Sequence, residues 1–177
     1  MKKIEKTTVT KQVYNGKIVN VYANEVDIEG EKGYRELIEH SGGVCICAID
    51  ENNEVIVVEQ YRYGTQKFMI ELVAGKLGYQ EDPLVCAQRE LLEESGYHST
   101  SFTYMGSFYP TPAYNSEKIA CYMATDLTFI EQNLDPGEHL EVKKIPLKTL
   151  KSMILNHEIE DGKTIALVLK VCAVKGI

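Results

Sequence analysis

Apolar residues recur with a strand-like period of two over most of the chain and change to a helical spacing in three segments. The first forty residues read as antiparallel strands. Asn15-Gly16, set between Val13-Tyr14 and Ile18-Val19, predicts a type I′ hairpin, and residues 30–33 mark a second reversal before the run at 34–40. Strand patterns follow at 44–49, 55–61 and 68–72, with a turn at 50–53, and again at 102–109, 119–124 and 142–145. The helical segments are 83–95, 147–156 and 162–174. This order predicts an α/β chain, a mixed sheet with helices on both faces. It is expected to be one domain over 1–177, with 1–42 as N-terminal strands and 43–177 as the core.

The helix at 83–95 is marked at both ends. Asp82 can cap free N–H groups, Pro83 has no N–H to lose, and Gly96 suits the left-handed stop. At 100° per residue Leu84, Ala87, Leu91 and Leu92 share an apolar face, and Glu90, Glu93 and Glu94 crowd beside it. Like charges at such spacing cost roughly 0.2–0.5 kcal/mol per pair, so the cluster is unfavourable without a cation. Hard oxygen donors suit Mg²⁺, which also accepts water and phosphate oxygens. Arg89 can reach Glu93 four positions on, to hold that carboxylate rather than to bind substrate. An acidic, solvated helix face is the alternative for a bare Glu-x-x-Glu-Glu; the fixed offsets of Gly75, Glu81, Arg89 and Gly96 weigh against it.

Composition narrows the function. A net charge of −7 disfavours nucleic acid as a partner, and an acidic protein that handles an anion needs metal between the two. Five cysteines without scaffold spacing suggest buried thiols in a reducing compartment. The N-terminus has no apolar h-region, and the most apolar stretch, 165–174, is short and broken by Lys170. The expectation is a soluble cytoplasmic protein with no membrane partner.

Gly75, Glu81, Arg89-Glu90-Leu91, Glu93-Glu94 and Gly96 resemble the Nudix box, the signature of hydrolases that cleave nucleoside diphosphates linked to another moiety. Tyr97 stands where that family usually has an aliphatic residue. Pro112, sixteen residues beyond Gly96, resembles the proline mark of the ADP-ribose pyrophosphatase subgroup, with Ala113 in place of the usual Gly. Arg35-Glu36-Leu37-Ile38-Glu39-His40, Glu59-Gln60-Tyr61-Arg62, Glu71-Leu72-Val73-Ala74-Gly75 and Asp161-Gly162-Lys163-Thr164 are similar to further segments of the subgroup.

The resemblance implies a Nudix α/β/α sandwich with an additional N-terminal antiparallel sheet. It implies Mg²⁺, or Mn²⁺ in its place, held by Glu90, Glu94 and the carbonyl of Ala74, with Glu93 supporting a second ion. Arg62 matches the arginine that holds the phosphates. Arg35 and Glu36 match positions near the nucleobase and its ribose, and Ser116 and Glu117 lie where the loop after Pro112 meets the terminal ribose. Glu138, or else Glu141, matches the loop glutamate that serves as base or metal ligand. The implied reaction is hydrolysis of ADP-ribose to AMP and ribose 5-phosphate, by a homodimer that exchanges its N-terminal sheet. The alternatives are another nucleoside diphosphate sugar, such as GDP-mannose or a UDP-sugar, and a sensor that binds ADP-ribose without cleaving it.

Overall fold

In a computed structural model, which describes residues 2–177, the N-terminal pattern becomes an antiparallel sheet of β1 (Glu5–Asn15), β2 (Asn20–Ile28) and β3 (Glu31–Glu39). Both reversals exist, but the type I′ turn expected at the first is found at the second. Asn15 pairs with Asn20 across a four-residue loop, and neither Asn15 nor Gly16 has a positive φ. Gly16 serves close approach instead, because a Cβ there would lie 2.9 Å from the Val19 carbonyl. The two-residue turn is Glu29-Gly30, with φ of 53° and 95°, the sign pattern of type I′. These strands and residues 109–118 make one compact unit. Ile38 and Asn115 form a parallel bridge there, and Ser116 accepts the His40 N–H at 3.0 Å.

The second unit comprises residues 43–108 and 119–177. Its strands are β4 (Gly43–Ala48), β5 (Glu54–Arg62), β6 (Lys67–Lys76), β7 (Tyr97–His98), β8 (Ser101–Phe108), β9 (Ile119–Thr125), β10 (Thr128–Phe129) and β11 (Leu140–Pro146). Six of them form a mixed sheet in the order β11-β5-β6-β4-β9-β8, in which β4 and β9 run parallel. The helices are α1 (Pro83–Ser95), α2 (Leu147–Leu155) and α3 (Gly162–Lys175).

Period-two alternation assigns the layers. On β4 and β5, Cys45, Cys47, Val55 and Val57 pack with α2 and α3, while Val44, Ile46, Ile56 and Val58 pack with α1. This is the α/β/α sandwich with a mixed sheet that the pattern predicts, and an additional N-terminal antiparallel sheet accompanies it. Asp82 caps α1 by accepting the Leu84 and Val85 N–H groups, and Gly96 ends it at φ 75°. One expectation for α1 fails: Leu84 is 38 % exposed, and the face turned to the sheet carries Cys86, Ala87, Glu90, Leu91 and Glu94.

All five cysteines are buried and unpaired, and burial raises their thiols, Cys47 and Cys86 to about 12 and Cys121 to about 11. No helix among the described residues is long and apolar enough to cross a membrane.

Candidate active site

Glu90 and Glu94 stand one turn apart on α1, 8 % and 4 % exposed. Carboxylates are rarely buried so fully without a partner. What admits Glu90 is the bare backbone of Gly75, since a Cβ there would fall on the Glu90 carboxyl group. Glu94 is anchored from β6, where the Ala74 N–H donates to its Oε2 at 3.1 Å. Ala74 lies in the part of β6 beyond its pairing with β5. An extended residue projects its N–H and C=O from the same edge, so the Ala74 carbonyl faces the same way.

Burial pushes the Glu94 carboxyl up to about 8, and the Glu90 and Glu138 carboxylates add to the rise against the Ala74 N–H and Arg62. Glu90 is raised as well, because burial outweighs its pair with Arg89. No three Asp, Glu, His or Cys side chains converge on one point among the described residues. The donors here that could hold a cation are the Glu90 and Glu94 carboxylates and the Ala74 carbonyl. Hard oxygens with room for water and phosphate oxygens are a donor set that fits Mg²⁺.

Arg89 gathers Glu81, Glu90 and Glu93 around one guanidinium. Its Nη1 lies 2.8 Å from both Glu90 Oε1 and Glu93 Oε2, and its Nε donates to Glu81 at 2.9 Å. The Arg89 bonds, with the Gly78 N–H at 2.8 Å, hold the Glu81 carboxyl down at about 2. Arg62 ends β5 with its Nε and Nη2 on the two oxygens of Glu71, at 2.6 and 2.7 Å. That pairing uses two of its five N–H donors, and the side chain is 41 % exposed.

The segment after β10 is tied to α1, because Gln132 donates to the Glu94 carbonyl at 2.6 Å and the Asn133 N–H to that of Glu93 at 3.1 Å. Further along it, Glu138 is exposed and accepts the Asp135 N–H at 3.2 Å. Its charge is felt at both Glu90 and Glu94. Glu141 lies on β11, 78 % exposed, with Lys143 4.0 Å away.

The profile of the NUDIX domain matches residues 39–168. The chain belongs to the Nudix family. Among curated relatives, this Nudix hydrolase is 32% identical to an ADP-ribose pyrophosphatase of Bacillus subtilis (strain 168), over 93% of this chain and 91% of that protein. It is 35% identical to a methanol dehydrogenase activator of Bacillus methanolicus, over 91% and 89%. A GDP-mannose pyrophosphatase of Citrobacter koseri is 29% identical over 75% and 74%. A crystal structure of an ADP compounds hydrolase superposes with a TM-score of 0.85 at 21% identity, covering 97% of this chain and 95% of the other, which supports the fold.

The remaining candidates of the Nudix hydrolase lie in the N-terminal unit. Arg35 and Glu36 sit on β3, opposite Asn24 and Ala23 of β2. Arg35 donates through Nε to Glu5 at 2.7 Å and through Nη1 to the Tyr34 carbonyl at 2.7 Å. Pro112, Ser116 and Glu117 share the segment 109–118, where Glu117 lies 3.8 Å from Nδ1 of His40. That His40 nitrogen accepts the Gly42 N–H at 3.0 Å.

Sequence reasoning gave no role to Glu71, Lys163 or Gln132. Glu71 and Lys163 fall inside quoted motifs, and an acid at the middle of a buried strand is itself a signal of a partner. Gln132 carries no such signal.

Proposed function

We propose that this protein hydrolyses the pyrophosphate bond of ADP-ribose, with Mg²⁺ as cofactor, to give AMP and ribose 5-phosphate. The observation that carries the reading is the buried Glu90 and Glu94 pair. Glu94 has no cation within ion-pair distance among the described residues, and an arginine fork with free donors stands in the same field. Similarity to the Bacillus subtilis ADP-ribose pyrophosphatase, 32% identical over 93% of this chain, supports the substrate.

Glu90, Glu94 and the Ala74 carbonyl would hold the metal, with Glu93 kept in place by Arg89 for a second ion. When bound, Mg²⁺ supplies positive charge to the pyrophosphate and lowers the proton affinity of the attacking water. Arg62 presents its free N–H groups to the phosphate oxygens. Glu138 takes the proton of the water as it attacks phosphorus. Its place in the field of both acids favours it over Glu141. Glu138→Gln is therefore expected to lower kcat by about 10²-fold or more at saturating Mg²⁺, and Glu141→Gln by less than about threefold. Steady-state kinetics of the two variants decide this, and the reverse order would transfer the role to Glu141.

The proposal extends to a cytoplasmic homodimer. Every residue of β1 is exposed, Val9, Val13 and Tyr14 included, which is an edge that a second copy would cover. Arg35 and Glu36 would then meet the nucleobase and ribose in their own or the partner's site. Because the N–H edge of Arg35 is engaged by Glu5, a base would stack on the guanidinium face. Ser116 and Glu117, on the loop that starts at Pro112, would meet the terminal ribose.

The GDP-mannose pyrophosphatase relative favours a second reading, hydrolysis of another nucleoside diphosphate sugar. The methanol dehydrogenase activator relative adds activation of a dehydrogenase as a consequence to test. Purified protein incubated with ADP-ribose, GDP-mannose and UDP-glucose in Mg²⁺, with product chromatography, separates the readings. AMP formed fastest from ADP-ribose is the expected result. Preference for another sugar nucleotide selects the second reading, and tight ADP-ribose binding without turnover would make the protein a sensor. Addition to a methanol dehydrogenase tests activation.

A further inference from the structure

Glu71 is 1 % exposed and sits in the middle of β6, yet its carboxyl is ionised. Burial alone would raise it, and its two cations hold it below the usual carboxylate range. One cation is Arg62, gripped at both oxygens. The other is Lys163 from the first turn of α3, whose ammonium bonds Glu71 Oε2, the same oxygen that receives Arg62 Nη2. Lys163 also donates to Asp161 Oδ1 at 2.9 Å. Asp161 caps α3 by accepting the Thr164 N–H at 2.9 Å, and the Thr164 hydroxyl, 2.6 Å from Asp161 Oδ2, accepts the Leu72 N–H at 2.9 Å. The start of α3 is thus locked to the strand residue beside Glu71.

Functionally this matters because a carboxylate facing a single arginine would claim all of its charge. With Lys163 as a second counter-ion, the pull of Glu71 is divided, and the Arg62 fork keeps its direction and part of its field for an external anion. Removing Lys163 would leave Glu71 with one cation and Asp161 with none.

We propose that Lys163 is a positioning residue for Arg62: together with Asp161 it fixes the Glu71 carboxylate, and Glu71 sets the aim of the guanidinium toward the pyrophosphate. The inference rests on the reading of Arg62 as the phosphate ligand.

The test reads the arginine directly. The ¹⁵N–¹H signal of the Arg62 Nε–H, assigned by its loss in Arg62→Lys, reports the pair with Glu71 in the full chain without substrate. It should be sharp in the native protein, shift or broaden in Lys163→Met and recover in Lys163→Arg. With ADP-ribose, Lys163→Met should lower kcat/KM by about tenfold, through KM more than kcat. Combined with Arg62→Ala it should add nothing, since two residues acting through one contact are not additive. Asp161→Asn keeps an acceptor for the Thr164 N–H and removes the charge together with the oxygen that Lys163 binds. It should move the signal the same way by a smaller amount, and it stands in if Lys163→Met does not fold.

An unchanged Arg62 signal, or additive losses in the double variant, overturns the proposal. Absence of ADP-ribose turnover in the native protein, with the signal responding as expected, removes the functional reading and leaves the positioning role. Normal turnover with an unresponsive signal removes the positioning role alone.

Discussion

Glu94→Gln should lose turnover by about 10³-fold or more and at the same time melt higher than the native chain when metal is absent. Both effects have one origin. In the folded protein the Glu94 carboxyl keeps its proton up to about pH 8, whereas in the unfolded chain it ionises near the ordinary value of 4.5. The folded state therefore binds the extra proton between those values, and metal-free stability falls as pH rises through that window. Glutamine cannot ionise, keeps an acceptor for the Ala74 N–H, and escapes the loss. At pH 7 the difference is on the order of 3 kcal/mol, about 6–12 °C in melting temperature for a chain of this size. With Mg²⁺ present the order should narrow or reverse, because a ligand that binds only the folded state stabilises it. Thermal melts of both proteins in chelator across pH 5–8, repeated in Mg²⁺, provide the check. A pH-independent gap would show that Glu94 does not carry the strain, and retained turnover would show that it holds no metal.

Gly75→Ala should be the most damaging single-methyl change in the chain. A methyl group at Gly75 falls on the Glu90 carboxyl, and α1 cannot retreat freely, since Ala87 and Leu91 are fully buried beneath it in the layer that also holds Val73. Either β6 and α1 separate or Glu90 leaves its place. Overpacking of this kind costs about 1–3 kcal/mol, and the displaced carboxylate should cost at least about 10²-fold in kcat/KM. Gly162→Ala is the matched control, as its Cβ would meet nothing within 4 Å and it opens a helix. It should hold or slightly raise the melting temperature while Gly75→Ala lowers it. Equal melting temperatures for Gly75→Ala and the native chain would mean that the contact with Glu90 is loose.

What could be read from the sequence follows the range of the forces involved. Asp82, Pro83 and Gly96 delimit α1 because capping is local, and the alternation of 44–49 and 55–61 assigns the layers because strand faces depend only on parity. The same locality misled at Asn15-Gly16, where a strong turn dipeptide yielded to the four-residue loop closed by the Asn15 and Asn20 pair. β7 and β10, two residues each, carry no period at all. Leu84 shows the limit of an apolar arc: the burial of Glu90 and Glu94 rotates the packed face away from it. Within the site, the Nudix box names the acids, but the link between Glu71 and Lys163 spans 92 positions and arises only when α3 meets β6.

The five buried thiols give the fold a built-in gauge of its own opening. Their raised proton affinity and lack of exposure keep them out of reach of alkylating reagents while the layers stay closed. Cys86 lies on the buried face of α1 and Cys172 on α3, so a reagent that reaches one before the other tells which side of the sheet has parted first.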